Sequence, residues 1–99
     1  MFVMGGMTQS DDIEMSKIFK ALSDPNRLSI LKMLSESELC ACKILESFDI
    51  TQPTLSHHMR VLSELDLVSV RQDGKWSYYS LNPKSLDRIS EYIHQLIGN

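Results

Sequence analysis

Two cysteines separated by one residue, Cys40 and Cys42, are the side chains of this sequence best suited to chemistry. Deprotonated thiols bind soft metals and metalloids, and accessible thiols also oxidise reversibly. Cys40 precedes Ile44 by four residues and Phe48 by eight, so it could instead be a small buried apolar side chain. Cys42 lacks that spacing. Composition alone leaves the ligand and the packing interpretations open.

The segment around the cysteines predicts a short third helix from Cys40 to Phe48, with Ile44, Leu45 and Phe48 facing inward. Helix residues at i and i+2 do not face each other, so two thiolates there could bind one soft atom only by deforming the backbone. We therefore hypothesise that ligation unwinds the start of this helix and tilts the next one. With one residue between them in an intracellular chain, both thiols are expected to be free.

The next helix is predicted to begin at about Gln52, because Thr51 can cap it and Pro53 suits its first turn. Its buried face is predicted from the spacing of Leu55, Met59 and Leu62. His58 borders that face and is expected to be packed and hydrogen-bonded. The outward side chains suit a DNA major groove, where bases and phosphates both accept hydrogen bonds. These candidate DNA contacts are Gln52, Thr54, Ser56, His57 and Arg60.

The remaining elements frame these two helices and predict a mainly α chain with a β-hairpin. Asp11 or Asp12 is expected to cap a first helix that ends near Ser23. Asp24 and Pro25 then start a second helix, which is expected to be central to the core. The third and fourth helices, joined by a tight turn, form a predicted helix-turn-helix.

A hairpin is predicted after Leu65, with Asp73 and Gly74 as its two turn residues. That register would set Arg71 opposite Trp76, where its guanidinium could lie over the indole ring. Arg71 and Lys75 near the tip are candidate DNA contacts; the alternative is a solvated turn that only closes the sheet.

A last helix is predicted to begin at Pro83 or Lys84 and to carry a continuous apolar stripe. Since the middle helices can form the core, the apolar faces at both chain ends predict a homodimer. The candidate dimer contacts are Ile18, Phe19, Ile89, Tyr92, Ile93 and Leu96.

Ninety-nine residues fit one small domain, predicted over residues 11–99 after a disordered arm at 1–10. No segment resembles a signal peptide or a membrane span, so a cytoplasmic protein is expected. The net charge of −3 argues against general nucleic-acid affinity. The local electrostatic field around the candidate DNA contacts matters more than the net charge, however. Acidic residues concentrate at 11–14 and 36–46, away from Arg60, Arg71 and Lys75. No catalytic arrangement is recognisable, so no enzyme is expected.

Several motifs together closely resemble the ArsR/SmtB family of metal- and metalloid-responsive repressors. They are LSDPNRL at 22–28, ELCAC at 38–42, TQPTLSHHM at 51–59, and GKW at 74–76 followed by YYSL at 78–81. The resemblance implies a dimeric winged helix-turn-helix that needs no cofactor to bind double-stranded operator DNA. It also implies release of that DNA when an inducer binds. The ELCAC segment is similar to the arsenic-responsive branch, which implies Cys40 and Cys42 as ligands of a trivalent arsenical.

The sequence departs from the family pattern where some arsenic repressors have a third cysteine, because Leu45 stands there. Two thiolates remain, for arsenite completed by a hydroxide or an outside thiol, for methylarsenite with its two exchangeable positions, or for Sb(III). We hypothesise a preference for the methylated form. Asp87 is followed by Arg88 and Ile89, which does not match the zinc-type sensor of the last helix.

Two alternatives stay open beside this interpretation. One is a redox-sensing repressor of the same fold, in which the thiols oxidise. The other is a winged-helix protein-interaction module that does not bind DNA, which the acidic balance favours.

Overall fold

The computed structural model describes residues 9–98. Along them lie five helices and three strands: α1 (Gln9–Leu22), α2 (Pro25–Leu34), β1 (Leu39–Cys40), α3 (Ala41–Glu46), α4 (Gln52–Glu64), β2 (Val68–Asp73), β3 (Trp76–Leu81) and α5 (Pro83–Leu96). The sheet is antiparallel with order β1-β3-β2. The prediction of a mainly helical chain with a β-hairpin is confirmed.

Helix α1 begins earlier than the sequence suggested, so the prediction that Asp11 or Asp12 caps it is wrong. Both carboxylates lie in its first turn, where they interact favourably with the partial positive charge of the helix N-terminus. Of the predicted disordered arm, residues 1–8 lie outside the described residues, and residues 9 and 10 belong to α1. Met15 and Ile18 face the core.

Helix α2 begins as predicted, with Asp24 as its cap. Oδ1 of Asp24 accepts hydrogen bonds from the backbone N–H groups of Asn26 at 2.8 Å and Arg27 at 3.3 Å. Helix α2, expected to be central to the core, buries Ile30 and Leu34 there and contacts α1, α4 and β3. Leu28 is 46% exposed.

The predicted third helix from Cys40 to Phe48 is shorter in the structure, and a strand precedes it. Cys40 pairs with Tyr78 across β1 and β3, and its backbone is extended, with φ −75° and ψ 156°. Helix α3 therefore starts at Ala41 and ends at Glu46. A two-residue strand has no periodicity of its own, because its hydrogen-bond partners lie almost forty residues further along the chain.

The β2–β3 hairpin turns one residue later than predicted. Asp73 pairs with Trp76, so Gly74 and Lys75 form the turn rather than Asp73 and Gly74. Gly74 has φ +62°, which suits the first central position of a type II′ turn. With this register Arg71 stands opposite Tyr78, and the prediction that it faces Trp76 is wrong.

The core joins α4 to the other elements and fixes its orientation. Leu55, Met59 and Leu62 of α4 are buried as predicted, together with Ile44 of α3 and Leu67 before β2.

The last helix follows Asn82, which caps it, and starts at Pro83 as predicted. Within residues 9–98, the structure has no helix long and apolar enough to cross a membrane.

Candidate functional site

The cysteine pair lies where β1 ends and α3 begins. Cys40 is the N-cap of α3, and its sulfur accepts a hydrogen bond from the backbone N–H of Lys43 at 3.4 Å. Cys42 belongs to the first turn. The structure joins the two sulfur atoms in a disulfide, with the Cα atoms 5.4 Å apart. The expectation that both thiols are free is therefore wrong for this structure.

The unwinding hypothesis also loses its basis, because Cys40 and Cys42 are not both helical. The extended backbone at Cys40 lets its side chain reach that of Cys42 while α3 remains folded from Ala41 onward. The two sulfurs meet without deforming the helix. The premise that both cysteines lie on one helix is wrong, since the pairing of β1 with β3 keeps Cys40 extended, and the effect of ligation on α3 stays a prediction.

The exposure of the two cysteines differs. Cys40 is half-buried, whereas Cys42 is exposed and borders a cleft of about 420 Å³. The walls of this cleft come from α3, α4 and the hairpin, and they include Leu45, Leu55, Met59, Trp76 and Tyr79. The thiol pair is thus adjacent to the helix-turn-helix and to the hairpin at once.

Helix α4 exposes the polar side chains predicted for it. Thr51 is its N-cap, and Oγ1 of Thr51 accepts a hydrogen bond from the backbone N–H of Thr54 at 3.3 Å. Five side chains lie exposed along the helix: Gln52, Thr54, Ser56, His57 and Arg60. Nη2 of Arg60 is 3.3 Å from Nδ1 of His57. Together they form a continuous polar surface that can donate and accept hydrogen bonds.

His58 is packed inside the molecule, as expected from its position on α4. It is 5% exposed, and its Nδ1 accepts a hydrogen bond from Nε of Arg27 at 3.0 Å. Arg27 also donates to the carbonyl oxygen of Ala21 at 3.2 Å, so it connects the end of α1 with α2 and α4. Burial lowers the pKa of His58, an effect that nearby Asp24 opposes.

The hairpin presents the other two predicted DNA contacts, Arg71 and Lys75, in different surroundings. The guanidinium of Arg71 donates to both carboxylate oxygens of Glu38, at 2.8 and 3.3 Å, and lies 4.6 Å from the ring centre of Tyr78. Hydrogen bonding from Arg71 lowers the pKa of Glu38. Nζ of Lys75 lies 5.4 Å from the ring centre of Trp76.

Sequence reasoning missed Glu38 as the partner of Arg71. The two residues are thirty-three positions apart, and the only local signal was that Glu38 belongs to the same ELCAC segment as the cysteines. The ion pair links the residue just before β1 to the hairpin. Arg71 is consequently charge-compensated by Glu38 in this structure.

The terminal helices contact each other within the chain. The rings of Phe19 and Tyr92 lie 6.1 Å apart, the hydroxyl of Tyr92 donates to Asp12 at 3.0 Å, and Arg88 forms an ion pair with Glu14.

Of the predicted dimer contacts, Ile18 and Ile89 are buried in the chain's own core, and Tyr92 is half-buried. An apolar surface is left exposed by Phe19, Ile93 and Leu96, at 39%, 45% and 65%.

Comparison with known proteins assigns this architecture to a family. The sequence signature described as "Bacterial regulatory protein, arsR family" matches residues 24–70. The chain is 53% identical to the arsenical resistance operon repressor of Staphylococcus xylosus over 81% of its own length and 77% of that protein. It is 51% identical to the repressor of the same name from Staphylococcus aureus, over 82% of the chain and 78% of that protein.

A solved structure supports the same assignment at the level of the fold. The crystal structure of an ArsR family transcriptional regulator superimposes with a TM-score of 0.80 at 19% identity, covering 86% of this chain and 88% of that one. The α3–α4 pair is therefore the helix-turn-helix, and the β2–β3 hairpin is its wing. The family and these relatives are transcriptional regulators rather than enzymes. The chain belongs to the ArsR family and is a transcriptional repressor with a winged helix-turn-helix fold.

Proposed function

We propose that this repressor binds operator DNA as a cytoplasmic homodimer and releases it when Cys40 and Cys42, as thiolates, bind a trivalent arsenical. One observation supports the sensor more than any other: the two sulfur atoms lie within bonding distance of each other beside the helix-turn-helix. Convergent thiolates are what a soft metalloid requires. The names of the two staphylococcal relatives point to arsenic resistance as the setting.

The DNA-binding surface that we propose is the exposed side of α4 together with the wing. Side-chain donors and acceptors along α4 suit base edges, while cationic groups suit phosphates. The residues are Gln52, Thr54, Ser56, His57, Arg60, Arg71 and Lys75. A second subunit would present the same surface again and would double the number of phosphate contacts.

The proposed dimer surface consists of the apolar side chains that α1 and α5 leave exposed. Phe19, Tyr92, Ile93 and Leu96 contribute to it directly, and Ile18 and Ile89 support it from the core. Removal of this apolar area from water would stabilise the pair of subunits.

Inducer binding in this proposal is an exchange of ligands on arsenic. Arsenite, As(OH)₃, would lose two OH groups as water, with protons from the two thiols, and would keep one hydroxide or accept an outside thiol. Methylarsenite would keep its methyl group, and Sb(III) could exchange its ligands in the same way. The arsenic would then lie beside α4, at the rim of the cleft that Gln52 and Ser56 also line.

Fluorescence anisotropy with a fragment of the chain's own upstream DNA tests this function. The protein must first be reduced, because a disulfide has no thiolate to offer. We expect salt-sensitive binding that arsenite or methylarsenite abolishes. In Cys40→Ser and Cys42→Ser the DNA should still bind, but arsenicals should no longer release it. Release that persists in both variants contradicts the assignment of the site.

A thiol redox-sensing repressor is the second candidate, and the disulfide itself favours it. Hydrogen peroxide would accept two electrons and two protons from the thiol pair and leave as two molecules of water, forming the Cys40–Cys42 bond. In the anisotropy assay, peroxide would release DNA, reductant would restore binding, and arsenicals would have no effect. A complex that forms in a salt-dependent manner also decides against a protein-interaction module.

A further inference from the structure

We propose that the cleft beside Cys42 binds the organic group of a mono-organyl arsenical, and that it accommodates an aromatic ring better than a methyl group. This inference rests on the arsenical sensor proposed above and specifies the ligand that the site would distinguish. It assigns a role to the side chains between α3, α4 and the wing. These side chains lie beside the thiol pair without being arsenic ligands themselves.

The valence of arsenic leaves one position that the protein's sulfurs do not occupy. Among residues 9–98, no group of three or more His, Cys, Asp or Glu side chains is arranged to hold a metal ion, so two sulfurs are the local donors. In R–As(OH)₂ the As–C bond stays intact. Two As–S bonds form, two As–O bonds break, and two molecules of water leave with the thiol protons. The group R therefore remains on the bound arsenic and must lie somewhere near Cys42.

Apolar side chains form part of the cleft's lining and offer that group a surface to pack against. Leu45, Leu55 and Met59 form its aliphatic part, and Trp76 and Tyr79 contribute aromatic rings. Its volume of about 420 Å³ greatly exceeds what a methyl group fills. An apolar cavity of about 150 Å³ already holds a benzene ring in another protein, so an aryl group fits here. Ring contacts with Trp76 and Tyr79 would add to the apolar burial.

Three of the cleft's polar residues are also proposed DNA contacts. Gln52 and Ser56 lie at the start of α4, and Lys75 lies at the tip of the wing. A ring in the cleft would therefore lie between the two parts of the DNA-binding surface. We expect an aryl arsenical to release DNA at a lower concentration than arsenite for this reason.

A substitution that fills the cleft tests the proposal. Ser77 lines the cleft from β3, and Ser77→Phe would place a ring in the space without changing either cysteine. The matched control is Ser69→Phe, since Ser69 is exposed and pairs with Ser80 on the opposite face of the same sheet. Calorimetric titrations of phosphine-reduced protein would use arsenite, methylarsenite and hydrated phenylarsine oxide, and the phenyl compound should bind the parent more tightly than methylarsenite. We expect Ser77→Phe to weaken binding of the phenyl compound about tenfold while arsenite binding stays unchanged.

The outcomes separate this inference from the proposed function. If the phenyl compound binds Ser77→Phe as tightly as the parent, the ring is not in the cleft and the inference is wrong. If Ser77→Phe weakens the binding of both arsenite and the phenyl compound, a measurement on the parent protein decides. Nuclear Overhauser contacts between the phenyl protons and the indole of Trp76, the chain's single tryptophan, would support the cleft as the site of the ring. The absence of these contacts would overturn the inference. If no arsenical binds the parent through its cysteines, the proposed sensor fails and this inference fails with it.

Discussion

Neighbouring residues of α4 have opposite environments, and the two histidines are the clearest case. His57 is exposed beside Arg60, whereas His58 is buried and accepts a hydrogen bond from Arg27. Successive helix residues point about 100° apart, so one lies over the core and the other over solvent. Protonation of His58 would add a second positive charge beside Arg27, in a site that already disfavours charge by burial.

The stability of the fold should therefore depend on pH through His58. Its pKa is lowered from the ordinary value of 6.5, so on acidification the unfolded chain takes up this proton first. The stabilisation is complete above about pH 6.5 and is lost as the pH falls through the native pKa. Urea unfolding between pH 8 and pH 5 should show this decline.

Replacement of each histidine distinguishes their roles. His58→Gln should cost about 1 kcal/mol at pH 7 through its buried hydrogen bond, and should make the unfolding midpoint less dependent on pH. His57→Gln, the control on the exposed side, should keep the parent's pH dependence. If the unfolding midpoint changes with pH to the same extent in the parent and in both variants, His58 is not the source of the pH dependence.

At the scale of elements, the short strand β1 determines the geometry of the site. Its pairing with β3 keeps Cys40 extended, and it places Glu38 beside Arg71 of the wing. The segment that contains the thiols is thus connected to the wing through β1–β3 hydrogen bonds and through an exposed ion pair. Asp73 lies 3.9 Å from Arg71 and adds to the negative charge there.

Loss of the Glu38 charge should strengthen DNA binding through the wing. In Glu38→Gln the guanidinium of Arg71 would lose its compensating carboxylate and could contact a phosphate. The plot of log K against log salt should become steeper by about 0.9 for each added contact. Glu36→Gln removes the same charge from an exposed position nearby and serves as the control. If the slopes of the two variants are equal, Arg71 does not reach the DNA backbone.

At the scale of the whole molecule, the apolar side chains of α5 extend beyond what one chain buries. Ile89 packs into the core, but Ile93 and Leu96 are 45% and 65% exposed. An exposed stripe at the end of a small domain is typical of a subunit interface. In a symmetric dimer each of these side chains would contribute twice.

The variant Ile93→Glu should separate the proposed dimer. Burial of an unpaired carboxylate costs about 3–5 kcal/mol, so the dimer Kd should rise at least about a hundredfold. DNA affinity should fall with it. Gln95→Glu adds the same charge at an exposed position on the other side of α5 from Ile93 and should leave association unchanged. Sedimentation equilibrium measures the dimer Kd of each variant. A dimer that persists in Ile93→Glu would place the interface elsewhere.

Local sequence signals determined where several helices start and which face of α4 is buried. Thr51 and Pro53 predicted the start of α4, and the spacing of Leu55, Met59 and Leu62 predicted its buried face, because capping and helical periodicity act over a few residues. Asp24 with Pro25, and Pro83, marked two further helix starts. The exposed side chains of α4 followed from the same periodicity.

Only the tertiary structure decided how the thiols meet. The pairing of Cys40 with Tyr78 turned a predicted helical residue into a strand residue, which brought its sulfur to Cys42. The same sheet register moved the wing turn to Gly74 and Lys75 and gave Arg71 its partner Glu38. The position of Cys40 and the Glu38–Arg71 ion pair depend on contacts between residues more than thirty positions apart in sequence. The side-chain pattern within one segment does not specify which distant segment it pairs with. That pairing is decided only when the fold brings the two segments together.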